Sequence, residues 1–310
     1  MNAAYEKHVA ERAAQGLPPL PLSPAQVKDI TARLPAAVGA EAAQLKELLV
    51  NRVPPGVDPA AEVKADFLAR VAQGALACPA IPAAEAVDIL GTMLGGYNLP
   101  PLMALLDHPA LAARAAEALK RTILIFAAID DIDARRKAGN RFAEAVLRSW
   151  ADAEWFTTRE SLPRTIAVTV YRVQGEVNTD DFSPAKHAST RPDIPLHALS
   201  MGEKRFAGGL ADIAKLRAQG RTVAFVADTV GTGSSRKSAT NSLIWHIGTD
   251  IPYVPNKRRG GVVMGTQIAP IFFNTFEDAG GLPIRIDVTR LKTGDELVIN
   301  TAQGTVTDSA

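Results

Sequence analysis

The chain has 310 residues, 47% hydrophobic and 22% charged, with a formal net charge of +1. That composition describes a globular protein long enough for two ordinary domains, and it excludes a disordered chain or a broad basic footprint for nucleic acid. No apolar run reaches bilayer length, residues 1–16 are charged and helical in pattern, unlike a signal peptide, and the single cysteine, Cys78, excludes an internal disulfide. One cysteine also excludes an iron–sulfur cluster or multi-cysteine metal site held by this chain alone, and it points to a reducing, cytoplasmic compartment.

Residues 1–158 read as helix after helix. Tyr5–Ala14 precedes proline punctuation at Pro18, Pro19 and Pro21, and Ser23-Pro24 then opens a second helix with an N-cap followed by proline at the first helical position. Further helices are expected over Glu41–Asn51, Pro59–Gln73, Pro82–Leu94, Pro100–Asp107, Ala110–Ala128 and Arg135–Trp155. They are amphipathic: Phe67, Val71 and Ala75 form one stripe, with Lys64 and Arg70 read as lying off it. Short helices between Pro and Gly turns suggest helical pairs stacked as a small solenoid, although no strict sequence period is present. Gly91-Thr-Met-Leu-Gly-Gly-Tyr97 reads either as a helix ending or as a site of close helix packing.

The texture changes near residue 158. Thr165–Val173 alternates and is β-branched, Thr222–Asp228 is an apolar strand, and Gly261–Met264, Ile284–Val288 and Glu296–Ile299 read as further strands. Helices are expected over Lys204–Gln219 and Ser235–Ile247. The alternation defines an α/β domain over 159–310, so the fold class is an α-helical domain followed by an α/β domain. The first 160 residues carry 17 Lys+Arg against 19 Asp+Glu and the remainder 17 against 14, so neither half is a basic domain.

The densest chemistry lies in Thr229-Val-Gly-Thr-Gly-Ser-Ser-Arg236, where a buried strand ends in a glycine turn and a helix begins. Such a turn offers backbone N–H groups and the positive end of a helix dipole to an anion, beside the hydroxyls of Ser234 and Ser235 and the fork of Arg236. Ordinary helix capping by Ser234 or Ser235 explains the same residues. The spacing matches neither a Walker loop nor Gly-x-Gly-x-x-Gly. Asn178-Thr-Asp-Asp181 before Ser183-Pro184 supplies either paired carboxylates or turn chemistry. Arg191, in the proline-stiffened loop Ser189–His197, reads as a second carboxylate contact or as a surface arginine paired with Asp193. The basic cluster Asn256–Gly261 reads as a solvated turn in preference to a nucleic-acid patch. The five histidines show no metal-ligand spacing, no Ser/His/Asp order fits a hydrolase triad, and His246 reads as a dipole-favoured C-terminal helix residue.

Taken together these residues resemble the bacterial aconitate hydratase B type of the aconitase superfamily. The resemblance runs through Tyr5–Gly16, Asn51–Val57, Gly91–Asn98, Asn178–Asp181, Arg191–Ala198, Gly233-Ser-Ser-Arg236 and Asp250–Lys257. It implies a HEAT-like helical domain followed by a swivel domain that closes over a four-iron four-sulfur cluster held by later domains. The implied reaction interconverts citrate and isocitrate through cis-aconitate, with 2-methylaconitate hydration a further option. By the same resemblance Ser234 is the catalytic base, and Arg191, Ser234, Ser235 and Arg236 bind substrate carboxylates, with no metal ligand in this chain.

The family's sequence continues well past residue 310 and its cluster cysteines are absent here. The expectation is therefore an N-terminal part, with the swivel incomplete at its end, catalytically silent by itself and completed by cluster-bearing domains in cis or in trans. Two alternatives are a swivel subunit like that of isopropylmalate isomerase and a regulatory module binding RNA or protein. The resemblance also makes a homodimer through the helical domain an option.

Overall fold

A computed structural model describes residues 3–122, 128–159 and 161–309. Contacts divide the chain into two units: Pro21–Glu160 with Pro252–Pro255, and Asn2–Leu20 with Ser161–Ile251 and Asn256–Ala310. The first helix, α1 (Ala3–Ala13), thus clusters with the later residues.

In the first unit, helix starts follow the sequence's own punctuation. At α2 (Pro24–Arg33), Ser23 and Gln26 form a reciprocal capping box with proline in the first turn. α3 (Gly39–Asn51) follows, and then α4 (Pro59–Ala72), where the Asp58 carboxylate accepts the Ala60 N–H at 2.8 Å. α5 (Ala83–Gly91) stops short of the expected Leu94 because Leu94, Gly95 and Gly96 all take positive φ. After α6 (Leu99–Leu105) comes α7 (Ala112–Arg121), inside the helix expected over Ala110–Ala128, of which residues 123–127 lie outside the described residues. A Cβ on Gly91 would sit 2.9 Å from the Ala118 methyl, so the 91–97 glycines both end α5 and admit α7 closely.

The single helix expected over Arg135–Trp155 is instead divided into α8 (Ile129–Lys137), α9 (Arg141–Ala151) and the one-turn α10 (Glu154–Thr157). Gly139 has φ +89°, and the Asn140 side-chain oxygen accepts the N–H groups of Phe142 and Ala143, so the break is a glycine stop followed directly by an N-cap. α4 packs on α2 and α5, α5 on α7, and α7 on α9. Lys64 corrects the amphipathic reading. It is 2% exposed, shares the face of Phe67, Leu68 and Val71, and donates to the Val50 carbonyl at 3.0 Å. Burial pulls its pKa down to about 7.

The second unit is built on a six-stranded sheet. In chain order, β1 (Thr165–Val177) leads to α11 (Thr179–Phe182), a 3-10 helix (Ala185–Thr190), α12 (Ile194–Ala198), α13 (Gly209–Ala218) and β2 (Val223–Val230). α14 (Arg236–Ile247), the short strands β3 (Thr249–Asp250) and β4 (Arg258–Arg259), β5 (Val262–Ile268), α15 (Pro270–Asp278), β6 (Leu282–Arg285), β7 (Glu296–Asn300) and β8 (Thr305–Asp308) complete it. Strand order is β6-β5-β2-β1-β7-β8, with β6, β5, β2 and β1 parallel and β7 and β8 antiparallel, while β3 and β4 pair separately.

Alternation explains the sheet's two faces. Tyr171, Val173, Phe225, Ala227 and Val263 enter one core with Phe182, Phe206, Leu243, Phe272 and Phe276; Val168, Val170, Ala224, Val226 and Met264 enter another with Leu297 and Ile299. The run Thr222–Val226 reads as continuously apolar because β2 is buried on both sides.

Candidate active site

β1 and β2 are parallel neighbours, and the segments leaving their carboxyl ends form the site. The two segments are stitched together: the Gly231 N–H donates to the Val177 carbonyl at 2.8 Å and the Thr179 N–H to the Thr232 carbonyl at 2.7 Å. The turn requires glycine. Gly231 and Gly233 have φ of +80° and +102°, and a Cβ would lie 2.2 Å from the Phe272 ring at the first and 2.5 Å from the Thr179 hydroxyl at the second.

Beyond the turn lies an open cavity of about 520 Å³, lined by Arg191, Ser234, Ser235, Arg236, Lys237 and Ser238 among others. Every sequence-predicted site residue is therefore brought to one place. Among the described residues that line it there are three cations and no carboxylate. Ser235 occupies the N-cap position of α14 yet makes no side-chain cap hydrogen bond, and the first turn holds no acidic residue. Its hydroxyl instead accepts from Arg191 Nη2 at 3.1 Å, while the Ser235 N–H donates to the Thr179 hydroxyl at 3.3 Å. The capping reading of Ser235 gives way; the α14 N-terminus stays open toward the cavity. Ser234 is exposed there.

Arg191 ends the 3-10 helix and is half-buried. Its Nη2 also donates to the Ser183 carbonyl at 3.4 Å, and its Nε is buried without a hydrogen-bond partner among the described residues. The ion pair with Asp193 is not made. Asp193 is held instead by Arg12 of α1, through Nη1 to Oδ2 at 2.6 Å and Nη2 to Oδ1 at 3.0 Å. Arg191 thus faces the cavity with neutral partners only.

Residues 4–156 match the family described as "Aconitate B N-terminal domain" and residues 168–310 that described as "Aconitate hydratase 2 N-terminus". The chain belongs to the aconitate hydratase B family. It is 52% identical over 312 residues to aconitate hydratase B of Synechocystis, covering 100% of this chain and 36% of that protein. The Escherichia coli relative is 50% identical over 316 residues, covering 99% and 36%, and the Helicobacter pylori relative 51% over 305 residues, covering 98% and 36%. The chain therefore spans about a third of the length of these relatives. A solved 3-isopropylmalate dehydratase from Methanocaldococcus jannaschii is similar at a TM-score of 0.31 and 19% identity, over 46% of this chain and 79% of that one.

Other expected features resolve structurally. Asn178 and Asp181 form a capping box for α11, and Asp180 accepts the Ala185 N–H at 2.7 Å, which is turn chemistry. In the basic cluster, Arg258 pairs with Asp250 at 2.8 Å and lies over the Trp245 ring at 4.1 Å, so it serves the fold. His246 is not favoured as a cation. Burial pushes its imidazole below the usual range, with Arg258 and Arg217 adding to the effect, and Nε2 meets the Ala198 carbonyl at 2.8 Å.

Sequence reasoning missed a hydroxyl–imidazole chain behind the cavity. Ser238 joins Ser183 at 2.8 Å, Ser183 meets His197 Nε2 at 2.7 Å, and His197 Nδ1 meets the Thr190 hydroxyl at 2.8 Å. Burial, then the Arg191 charge, lowers the His197 pKa from its ordinary value. Ser183 and His197 each stand in stretches that the sequence singles out, but nothing local signals that they meet each other and Ser238.

Proposed function

We propose that this chain supplies the carboxylate-binding side of an aconitate hydratase active site. In this reading residues 1–158 form a HEAT-like helical domain and 159–310 a swivel domain, in a cytoplasmic enzyme. The substrates are citrate, isocitrate and cis-aconitate. The observation that carries it is the cationic cavity in which Arg191, hydrogen-bonded to neutral partners among the described residues, lies with Ser234, Ser235 and Arg236.

The chemistry follows from the residues. Arg236 offers a planar fork to a carboxylate, Arg191 a second donor set, and the α14 N-terminus the positive end of its dipole. Ser234 is the base that takes the proton from the carbon beside a carboxylate. A serine alkoxide needs a strongly electropositive setting, and three cations beside a helix N-terminus provide one. The family's four-iron four-sulfur cluster does not fit this chain's donors. Its 310 residues include one cysteine, Cys78, buried in the helical unit, and among the described residues no group of three or more His, Cys, Asp or Glu could hold a metal ion. The cluster ligands belong to sequence outside these residues, and no step here runs through the cluster.

The test is the assembled enzyme, this chain complemented with cluster-bearing domains and assayed by the absorbance of cis-aconitate. Arg236→Lys is expected to lower kcat/KM by about a hundredfold, because a point charge does not replace a fork. Ser234→Ala is expected to lower kcat with KM little changed. Normal kinetics in both variants would overturn the assignment.

A further inference from the structure

Arg191 and Asp193 stand two residues apart in one stiffened loop, and they are natural partners for each other. Asp193 cannot be dispensed with cheaply, because its Oδ1 accepts the Leu196 N–H at the start of α12. Yet a carboxylate tethered so near Arg191 is present at a high effective concentration and would compete with any incoming carboxylate. Arg12 removes that competitor. Its fork takes both Asp193 oxygens, and the pair is largely shielded, with side-chain exposures of 9% and 16%. Arg12 is itself fixed: its Nε donates to the Pro18 carbonyl at 2.8 Å, and its own carbonyl accepts the Leu17 N–H at 3.0 Å.

We propose that Arg12 is a positioning residue that sequesters Asp193 and so keeps the Arg191 guanidinium open for a substrate carboxylate. This rests on the reading of Arg191 as a carboxylate grip. The pair also fits the clustering of α1 with the sheet unit, since it ties the last turn of α1 to the loop that carries Arg191. Nothing in the local sequence signals the pair, whose members are 181 residues apart.

The experiment follows the Arg191 Nε–H resonance by nitrogen-15 NMR in the 310-residue chain, assigned by its loss in Arg191→Lys. In Arg12→Ala the resonance is expected to shift as Asp193 captures Arg191. In the double variant Arg12→Ala/Asp193→Asn, which keeps the α12 cap but removes the charge, it is expected to return to the wild-type position. Arg12→Lys retains the neutralising charge and is expected to leave the resonance near wild type, a readout that remains if Arg12→Ala folds poorly. Citrate titration runs in parallel, with a loss of about tenfold or more in Arg12→Ala, recovered in the double variant. An unmoved resonance in Arg12→Ala, or one that the added Asp193→Asn does not restore, overturns the proposal. Absence of citrate binding by the wild-type chain, with the resonances behaving as described, would instead count against the functional reading and leave the sequestration intact.

Discussion

The glycines of the turn that carries Ser234 give a graded test of how the site is built. Gly233 and Gly231 of that turn, and Gly220 between α13 and β2 as a control outside it, all have positive φ, at +102°, +80° and +76°, but their surroundings differ. A Cβ at Gly220 would meet nothing within 4 Å, so Gly220→Ala reports backbone strain alone, about 1–2 kcal/mol. At Gly233 the same strain applies, and the new methyl would stand 2.5 Å from the Thr179 hydroxyl. That hydroxyl must turn away and release the Ser235 N–H, which adds about 0.5–1.5 kcal/mol. At Gly231 the methyl would meet the Phe272 ring at 2.2 Å, and Phe272 is fully buried against Phe182 and Phe276. Overpacking of that kind adds about 1–3 kcal/mol to the backbone strain. Urea unfolding should therefore order the variants Gly220→Ala, Gly233→Ala, Gly231→Ala from least to most destabilised. Trp245 is the reporter, in a background with Trp150 and Trp155 replaced by Phe, because it is the tryptophan of the sheet unit. Equal losses at all three positions would refute the claim that close approach, and not merely backbone φ, fixes this turn.

Lys64 gives a second expectation. Its pKa falls from 10.5 unfolded to about 7 folded, so the unfolded chain binds more protons between those values and stability of the helical unit rises with pH there. Lys64→Met should raise stability by on the order of 2–4 kcal/mol at pH 6, with the gain shrinking toward pH 10 in urea melts followed by Trp150 and Trp155. A constant gain across that range would contradict the buried ammonium. His197 and His246 act in the other window. Both folded values lie below the ordinary 6.5, so their contribution is present above it and is lost as pH falls through the folded values. The Trp245 unfolding midpoint should drop between pH 7.5 and 5.5, and a flat profile would count against their burial as neutral rings. Asn140→Ala removes the cap that separates α8 from α9 and should cost about 1–2 kcal/mol, whereas an unchanged thermal midpoint would place the break in Gly139 alone.

Much of this architecture could be read from local chemistry. The Ser23–Gln26 capping box, the Asp58-Pro59 helix start and the doubly buried β2 each depend on residues within a few positions of one another. The exposed edge strand β8 escaped notice because a single half-buried residue, Val306, is too little to impose alternation. The Gly139-Asn140 break was hidden because the apolar stripe that marks the helix, Phe142, Val146 and Trp150, lies wholly on its C-terminal side. At the site, the 231–236 turn is consistent with either a helix cap or an anion site, and the choice between them depends on where Arg191 and Asp193 point. That depends on Arg12, near the other end of the chain, and no window of sequence contains all three residues.

The proposed grip of the cavity on a tricarboxylate is tested by calorimetric titration of citrate into the 310-residue chain. Saturable binding is expected, weakening as salt rises and falling by about a hundredfold or more in Arg191→Gln/Arg236→Gln, with folding intact by circular dichroism. No binding to the wild-type chain, or binding that survives loss of both arginines, would contradict it.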